Sequence, residues 1–331
     1  MAKPDAWGPG FSPRLGSVIP ADLSHAVVHA VRRAVEAGEL GGPVPARVVV
    51  ERTRPGGVGE YASPVALRMG RGAEGALVLA KALALEPGIA TVEVTGPGFL
   101  NFTLAPLSAA ELVRDVAGRA GRYGCLPVAP QPAAGTRRED VRGAVVRGAV
   151  VRIREGQGLP GEGEGLSVAP VARRDGDVVA RYGAAAAVWA MVVVPARETP
   201  VFGDGLLVQG EENEVFRVRY AHARARALTR NAADLGFRGE PGDVDAPALL
   251  RALADHPLAL EAAAHHRAPE RLARHLVVVA DALLDFQHQV LPLGDEKPSA
   301  AHRARLALAE AAGAVLAGGL ALLGIDAPHF L

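Results

Sequence analysis

The sequence predicts an α+β protein in which a small α/β N-terminal domain and an irregular middle precede a C-terminal all-α helical bundle. Two runs, 91–95 and 99–104, alternate apolar and polar residues as strands do, and a Gly-Pro-Gly turn separates them. After residue 213, apolar residues recur at helical spacing over long segments. We expect the following division of the chain: a flexible N-terminus at 1–16, a first domain at 17–120, a degenerate or linker region at 121–175 and a helical domain at 176–331.

Helices and a small antiparallel sheet are predicted for the first domain. The opening helix ends near Gly38, because glycine often follows the last turn of a helix. A short strand at 47–51 leads into a Pro-Gly-Gly turn, which breaks regular structure. The remaining predicted elements are a helix at 66–85, strands at 91–95 and 99–104 and a helix at 107–120.

Glycine and proline interrupt the middle region, which is typical of a linker. One or two strands are predicted around 145–153, where an Arg-Gly-Ala-Val-Val segment is repeated. The C-terminal domain is predicted to be an antiparallel bundle because short turns join its helices. These helices are predicted at 214–235, 248–255, 269–291 and 300–323.

The composition indicates a globular protein without an overall charge that attracts nucleic acid. The 331 residues carry 36 basic and 36 acidic side chains, so the formal net charge is zero. The single cysteine, Cys125, cannot form an internal disulfide, which is typical of a reducing compartment. The two most apolar uncharged stretches, 182–196 and 311–325, are shorter than the roughly 20 residues of a membrane span. We therefore expect a cytoplasmic protein that does not contact a membrane, with both stretches buried.

Two segments of the first domain resemble the N-terminal additional domain of bacterial-type arginyl-tRNA synthetases. Residues 59–63 (GEYAS) are similar to the family's Gly-Asp-Tyr-Ala-Thr, which begins a helix there. Residues 96–101 (GPGFLN) are close to the family's Gly-Pro-Gly-Phe-hydrophobic-Asn turn. In that family the domain contacts the D-loop side of the tRNA elbow, so the resemblance implies an RNA-binding first domain.

The C-terminal part resembles the all-helical anticodon-binding domain, of DALR type, of the same family. Residues 213–224 (NEVFRVRYAHAR) are similar to the family's Asn-Pro-Val-x-Tyr-Val-Gln-Tyr-Ala-His-Ala-Arg, which opens that domain. Residues 322–328 (LLGIDAP) match its usual finish. Tyr220 and Arg224 carry this resemblance, which implies that they contact tRNA.

The loops with which a class I synthetase holds ATP are missing from this sequence. The family's catalytic domain is a dinucleotide-type fold of roughly 100–150 residues or more, marked by His-x-Gly-His-like and Lys-Met-Ser-Lys-like loops. The only histidines in the first half of the chain are His25 and His29, and the only lysines of the whole chain are Lys3, Lys81 and Lys297. The resemblance therefore implies a relative without catalytic residues and without a cofactor.

Arginines on the helix predicted at 214–235 form a candidate RNA-binding stripe. Arg219, Arg226 and Arg230 lie at i, i+7 and i+11 and share one helix face. Guanidinium groups fit phosphate oxygens, which favours RNA contact. The alternative is a solvated face in an arginine-rich protein. An excess of 16 acidic over 13 basic residues within 206–331 favours this alternative.

Phe99 and Asn101 are the candidate RNA-binding residues of the first domain. Along the predicted strand, one of them stacks on an unpaired loop base or forms hydrogen bonds with it. The alternative is that Phe99 or Phe102 belongs to the core, and we expect this of one of the two. We regard Asn101 as the better candidate for a base contact.

No metal site is expected from the sequence. Asp281, Asp285 and His288 share a helix face at a spacing that could suit a metal, but the wet face of an amphipathic helix has the same pattern. The sequence favours a non-catalytic protein that binds tRNA, an arginine tRNA in particular, through two end domains. Two alternatives remain: an arginine–tRNA ligase that acts with a separate catalytic chain, and a protein-interaction or regulatory module that binds no RNA.

Overall fold

The computed structural model describes residues 20–54, 56–106, 108–119, 121–125, 140–161, 163 and 165–330. The chain divides into two compact units, of which the first ends at Ser108 and the second begins at Ala109. The first unit is an α/β domain and the second is helical, which confirms the predicted fold class. The N-terminus predicted at 1–16 and the proline-rich run at 127–132 lie outside the described residues.

In the described part of the first unit, helices accompany a four-stranded antiparallel sheet. The strand order is β1-β2-β4-β3, so β4 is paired along both of its edges. The elements are α1 (Pro20–Glu36), β1 (Glu51–Arg52), β2 (Tyr61–Ser63), α2 (Val65–Arg68), α3 (Gly72–Leu83), β3 (Ile89–Thr95) and β4 (Phe99–Leu104). The core includes side chains of α1, α3 and β4, among them Leu23, Val27, Leu79, Leu83, Leu100 and Phe102.

The predicted hairpin is confirmed, whereas the predicted strand at 47–51 is wrong except for its last residue. β1 covers only Glu51–Arg52. Val48 and Val50 are buried nonetheless, and the carbonyl oxygen of Val48 accepts a hydrogen bond from Ser24 Oγ at 2.7 Å. A side chain of α1 thus forms a hydrogen bond with the backbone of this segment, which the prediction had assigned to a strand.

The region 59–85 also differs from expectation. The run similar to a helix start in the family is β2, in which Tyr61 pairs with Phe102. The helix predicted at 66–85 is divided into α2 and α3. Gly70 lies between them with φ 71°, a left-handed conformation that glycine adopts without strain.

Helices form most of the regular structure in the described part of the second unit. They are α4 (Ala109–Gly118), α5 (Val141–Gly156), α6 (Val178–Tyr182), α7 (Ala184–Val192), α8 (Glu214–Asp234), α9 (Pro247–His266), α10 (Pro269–Phe286) and α11 (Ala300–Leu323). α8, α9, α10 and α11 pack against one another and form the predicted bundle. Its core includes Leu228, Leu253, Leu276, Leu283, Leu316 and Leu320.

The region expected to be a linker contains α5, and the strands predicted around 145–153 are wrong. The side chain of Asp140 caps α5 by accepting a hydrogen bond from the backbone N–H of Gly143 at 2.9 Å. Val146 and Ile153 lie on its buried face, at a helical spacing that the repeated Arg-Gly-Ala-Val-Val segment obscured. α5 packs against α7, α9 and α11. α4, which we expected in the first domain, packs against α9 and α11 and belongs to the second unit.

The most apolar helix, α11, is a core helix of the bundle. By length and composition alone it could cross a membrane, but 67% of its most apolar window is buried inside the protein. Ser299 and His302 form a capping box at its start. The stretch at 182–196 is similarly covered, since Trp189, Met191 and other residues of α7 are buried. Both stretches are therefore buried structure, as expected.

Candidate RNA-binding surfaces

Helix α8 carries five candidate residues, and its start is fixed by a cap. The side chain of Asn213 accepts a hydrogen bond from the backbone N–H of Phe216 at 3.3 Å. One face of the helix is buried in the bundle through Val218, Ala225 and Leu228. Other positions of the helix, among them Arg226 and Arg230, are exposed.

Arg219, Arg226 and Arg230 share one strip of the surface of α8, which we call the arginine face. Arg226 and Arg230 are exposed and Arg219 is half-buried. Arg219 Nε donates a hydrogen bond to the carbonyl oxygen of Asp326 at 3.3 Å. Arg230 Nη1 donates to the carbonyl oxygen of His329 at 3.4 Å. The C-terminal segment of the described chain therefore lies along this face.

An aromatic ring extends the arginine face. The guanidinium of Arg230 lies 4.2 Å from the ring centroid of Phe330, which is 72% exposed. The sequence analysis did not select Phe330. No spacing rule connects a residue at position 330 with one on α8, so only the tertiary structure brings them together.

His222, which is buried on α8 beside the arginine face, adds no positive charge at neutral pH. Nδ1 of His222 lies 3.1 Å from the carbonyl oxygen of Gly313. Burial lowers the pKa of His222, and the neighbouring charges of Arg226 and His329 lower it further, against the hydrogen bond to Gly313. The cationic character of this face therefore comes from its arginines.

Tyr220 and Arg224 lie on a different strip of α8. With 3.6 residues per turn, their positions are rotated by roughly 100–140° from that of Arg219. Tyr220 is 39% exposed and stacks on Phe216, with ring centroids 5.8 Å apart. Arg224 Nε donates a hydrogen bond to Gln287 Oε1 at 2.6 Å. The structure thus places the five candidates of this helix on two strips of its surface.

In the first unit, the Gly-Pro-Gly turn presents Phe99 at the surface. Gly98 has φ 132°, and a Cβ atom added there would lie 2.6 Å from the carbonyl group of Gly72. Only glycine permits this approach of the turn to the start of α3. Phe99 is 38% exposed, whereas Phe102 is fully buried. The core residue of the pair is therefore Phe102, and Phe99 can stack on a base.

Asn101 is buried inside the hairpin. It is 6% exposed, and its Nδ2 donates a hydrogen bond to Thr95 Oγ1 at 2.7 Å. The carbonyl oxygens of Glu93 and Phe99 also lie within 3.4 Å of Nδ2. These contacts join β3 to β4 on either side of the turn. They favour a positioning role for Asn101, which holds the turn that presents Phe99.

The run 59–63, which resembles the family motif, also stabilises the sheet. Glu60 Oε2 accepts a hydrogen bond from the backbone N–H of Leu104 at 3.1 Å. Tyr61 is 3% exposed, and the guanidinium of Arg52 lies 5.4 Å from its ring centroid. These contacts hold β2 against β4, so the run 59–63 supports the same sheet as the hairpin of β3 and β4.

The candidate metal ligands and Cys125 have surroundings that indicate no binding or catalytic site. In the described part of the chain, no group of three His, Cys, Asp or Glu side chains could hold a metal ion. Asp281 forms an ion pair with Arg217 at 2.9 Å. Burial raises the pKa of the Cys125 thiol, against a smaller effect of Arg122, so the reactive thiolate is disfavoured.

Both candidate surfaces lie inside segments that match known protein families. Residues 21–104 match the arginyl tRNA synthetase N-terminal domain, and residues 218–331 match the DALR anticodon-binding domain. The chain is also 49% identical over 110 residues to an arginine–tRNA ligase of Frankia alni. This alignment covers 32% of the chain and only 20% of the ligase.

The fold is similar to a solved arginyl-tRNA synthetase. The structure of Thermus thermophilus arginyl-tRNA synthetase aligns with 95% of this chain and 100% of the solved chain, with a TM-score of 0.63 and 14% sequence identity. Each matched domain contains one of the surfaces described above. The chain thus combines two domains of the arginyl-tRNA synthetase family, the N-terminal domain and the DALR anticodon-binding domain.

Proposed function

We propose that this protein binds tRNA, an arginine tRNA in particular, and does not itself catalyse aminoacylation. In this proposal it acts in translation in the cytoplasm. The single observation that carries the proposal is the arginine face of α8, which lies in the segment matched by the anticodon-binding domain. Arg226 and Arg230 are exposed there, as phosphate-binding side chains must be.

The first unit supplies a second contact surface in this proposal. Phe99 is exposed on a turn held by Gly98 and Asn101, so the backbone that presents its ring is fixed in place. Stacking of one base on an aromatic side chain contributes about 1–3 kcal/mol to binding. Two modest surfaces in one chain raise each other's effective concentration when a single RNA reaches both.

The interval between the matched segments supports the non-catalytic part of the proposal. Residues 105–217 contain neither histidine nor lysine, so they cannot supply loops of the His-x-Gly-His or Lys-Met-Ser-Lys kind. The described part of this interval forms α4, α5, α6 and α7 and no strand. A dinucleotide-type catalytic fold needs a parallel sheet.

Salt-dependent binding of a transcribed arginine tRNA tests the RNA contact. Changing Arg219, Arg226 and Arg230 together to Ala should weaken binding. Each lost phosphate contact should lower the slope of log affinity against log salt by roughly 0.7–0.9. The matched control is the change of Arg271 and Arg274, both exposed on α10, to Ala, which should leave the slope unchanged. Unaltered affinity and slope in the triple variant would mean that the arginine face is only solvated.

Arginine-dependent exchange of pyrophosphate into ATP tests the absence of catalysis. We expect background exchange by the chain alone, with or without tRNA. Robust exchange by a preparation free of host synthetase would contradict the proposal. Exchange that appears only after a separate catalytic chain is added would support the alternative of a divided arginine–tRNA ligase.

A further inference from the structure

A groove on the second unit is not used by the proposed RNA contacts. It lies between the end of α7 and the segment 193–213, which carries only a short 3-10 turn at Asp204–Leu207 before α8 begins. The cavity has a volume of about 490 Å³. We call it the Trp189 groove, after the residue on its inner wall.

The apolar lining of this groove is buried at Trp189 and exposed at Val201 and Val208. Trp189, Val193 and Val194 line its inner wall, and Val201 and Val208 line the outer side. Val201 is 81% exposed and Val208 is 57% exposed. Apolar side chains that are exposed together beside a cavity indicate a binding surface, because isolated exposed residues are common but contiguous ones are costly.

The charged residues of the groove have one sign. Glu211, Glu212 and Glu214 line it, and no basic residue is among its described lining residues. Glu214 Oε2 accepts a hydrogen bond from Trp189 Nε1 at 3.3 Å, which fixes both side chains. Glu211 and Glu212 are exposed at the rim. These carboxylates repel phosphate groups and attract cationic side chains, so the charge disfavours RNA here.

We propose that the Trp189 groove docks a protein partner through an apolar side chain flanked by lysine or arginine. The apolar side chain of the partner covers Val201 and Val208 and enters the cavity above Trp189. Its flanking cations pair with Glu211 and Glu212. This inference does not depend on tRNA binding, because the groove and the arginine face share none of their residues.

Fluorescence of Trp189 tests the proposal directly. The chain has two tryptophans, so Trp7→Phe leaves Trp189 as the single tryptophan, which can be excited at wavelengths that tyrosine does not absorb. The probe is the synthetic peptide acetyl-Arg-Leu-Arg-Phe-Lys-Leu-Arg-amide, which contains no tryptophan. We expect a saturable change in emission. The charge-reversed peptide, with Glu in place of each cation, should produce none, and neither should a peptide with Ser in place of Leu and Phe.

Two variants of the protein sharpen this test. Glu211→Lys with Glu212→Lys should weaken peptide binding by about tenfold or more, because cations then face cations. The matched control is Asp243→Lys with Asp245→Lys, two exposed carboxylates away from the groove, and it should bind as the parent does. Val201→Asp removes the apolar contact at a residue that is 81% exposed, so the fold should persist while binding falls.

Three outcomes would overturn the proposal. The first is an emission of Trp189 that the basic peptide does not change. The second is an equal response to the charge-reversed peptide. The third is a change of Trp189 emission on addition of the arginine tRNA that Val201→Asp abolishes. In that case the groove would belong to the RNA surface. Failure of tRNA binding alone leaves the peptide result intact, so the two proposals fail separately.

Discussion

Helices α5 and α8 are both rich in arginine, yet they use it in opposite ways. On α5, Arg142 is fully buried and donates hydrogen bonds to backbone carbonyl oxygens. Its acceptors are Ala169, Met191, Pro195, Ala196 and Glu198. On α8, Arg226 and Arg230 are exposed. The same residue type is therefore enclosed within the fold in one helix and reaches solvent in the other, where Arg230 also donates to the carbonyl oxygen of His329.

The neighbours of Arg142 repeat this pattern along α5. Arg147 Nη1 donates to the carbonyl oxygen of Leu166 at 3.0 Å, and Arg152 Nε donates to that of Leu322 at 2.9 Å. Burial lowers the pKa of Arg142 and Arg152, although an arginine remains protonated at neutral pH. The count of arginines on a helix thus says little about RNA binding, because burial and the available acceptors decide their role.

The largest effect that tests this comparison is expected for Arg142→Ala. The change removes a fully buried side chain together with its hydrogen bonds to five carbonyl oxygens, so we expect a loss of about 3 kcal/mol or more in the free energy of unfolding. Arg226→Ala should change it by less than about 0.5 kcal/mol, as exposed substitutions do. Urea denaturation followed by circular dichroism measures both. Similar stability of the two variants would remove the distinction between the helices.

Buried and exposed histidines also differ in their role, and the pH dependence of the free energy of unfolding reveals this difference. Burial holds the pKa of His256 well below its ordinary value of 6.5, and the nearby His275 lowers it further. The unfolded chain therefore takes up a proton at a higher pH than the folded protein. Stability should fall as the pH falls below 6.5, by up to about 1.4 kcal/mol per pH unit, and level off at the lowered pKa.

A variant assigns this dependence to His256. His256→Phe keeps an aromatic ring beside Tyr123 and removes the titration, so the slope of stability against pH below 6.5 should flatten. His288 is exposed, and His288→Gln is the control that removes a histidine from the surface. Denaturation midpoints between pH 7 and 5 give the comparison. An unchanged slope in His256→Phe would assign the dependence to other groups.

In the first unit, Asn101 is buried and supports the hairpin, whereas Phe99 is exposed and available to a partner. Asn101→Ala removes a buried donor, so we expect a loss of about 1–2 kcal/mol in stability together with weaker tRNA binding. Phe99→Ala should weaken tRNA binding by about 1–3 kcal/mol with little loss of stability. Thermal melting and tRNA titration distinguish the two. A stable Asn101→Ala variant that loses only its preference among tRNAs would restore Asn101 as a base contact.

The smallest effect is expected between arginines of the same face. Arg219 already donates to the carbonyl oxygen of Asp326, whereas Arg226 is exposed. Arg226→Ala should therefore lower the slope of log affinity against log salt by roughly 0.7–0.9, and Arg219→Ala by less. Arg152→Ala on α5 should not lower it. An equal slope for Arg152→Ala and Arg226→Ala would show that the arginine face is not a special surface for RNA.

The local order of turn residues and apolar residues along the sequence determined much of the fold. The Gly-Pro-Gly turn and the alternation in 99–104 predicted the hairpin, because turn chemistry and side-chain period act between near neighbours. Apolar spacing predicted α8, α10 and α11 for the same reason, whereas α9 continues through Pro257 to His266, past the end predicted at residue 255. The family resemblance also rested on short continuous runs, and both matched segments contain the runs that suggested them.

Tertiary structure alone decided which side chains are available. Asn101 and Phe99 are close in sequence, but only the packing of the hairpin shows that one is enclosed and the other exposed. Arg142 meets acceptors at least 27 positions away, and Arg230 meets His329, which is 99 positions away. Periodicity contains no information about such partners, since it describes one element at a time. Local sequence patterns therefore determined most of the helices, the hairpin and the family resemblance, while long-range hydrogen bonds and burial decided which arginines serve the fold and which face solvent.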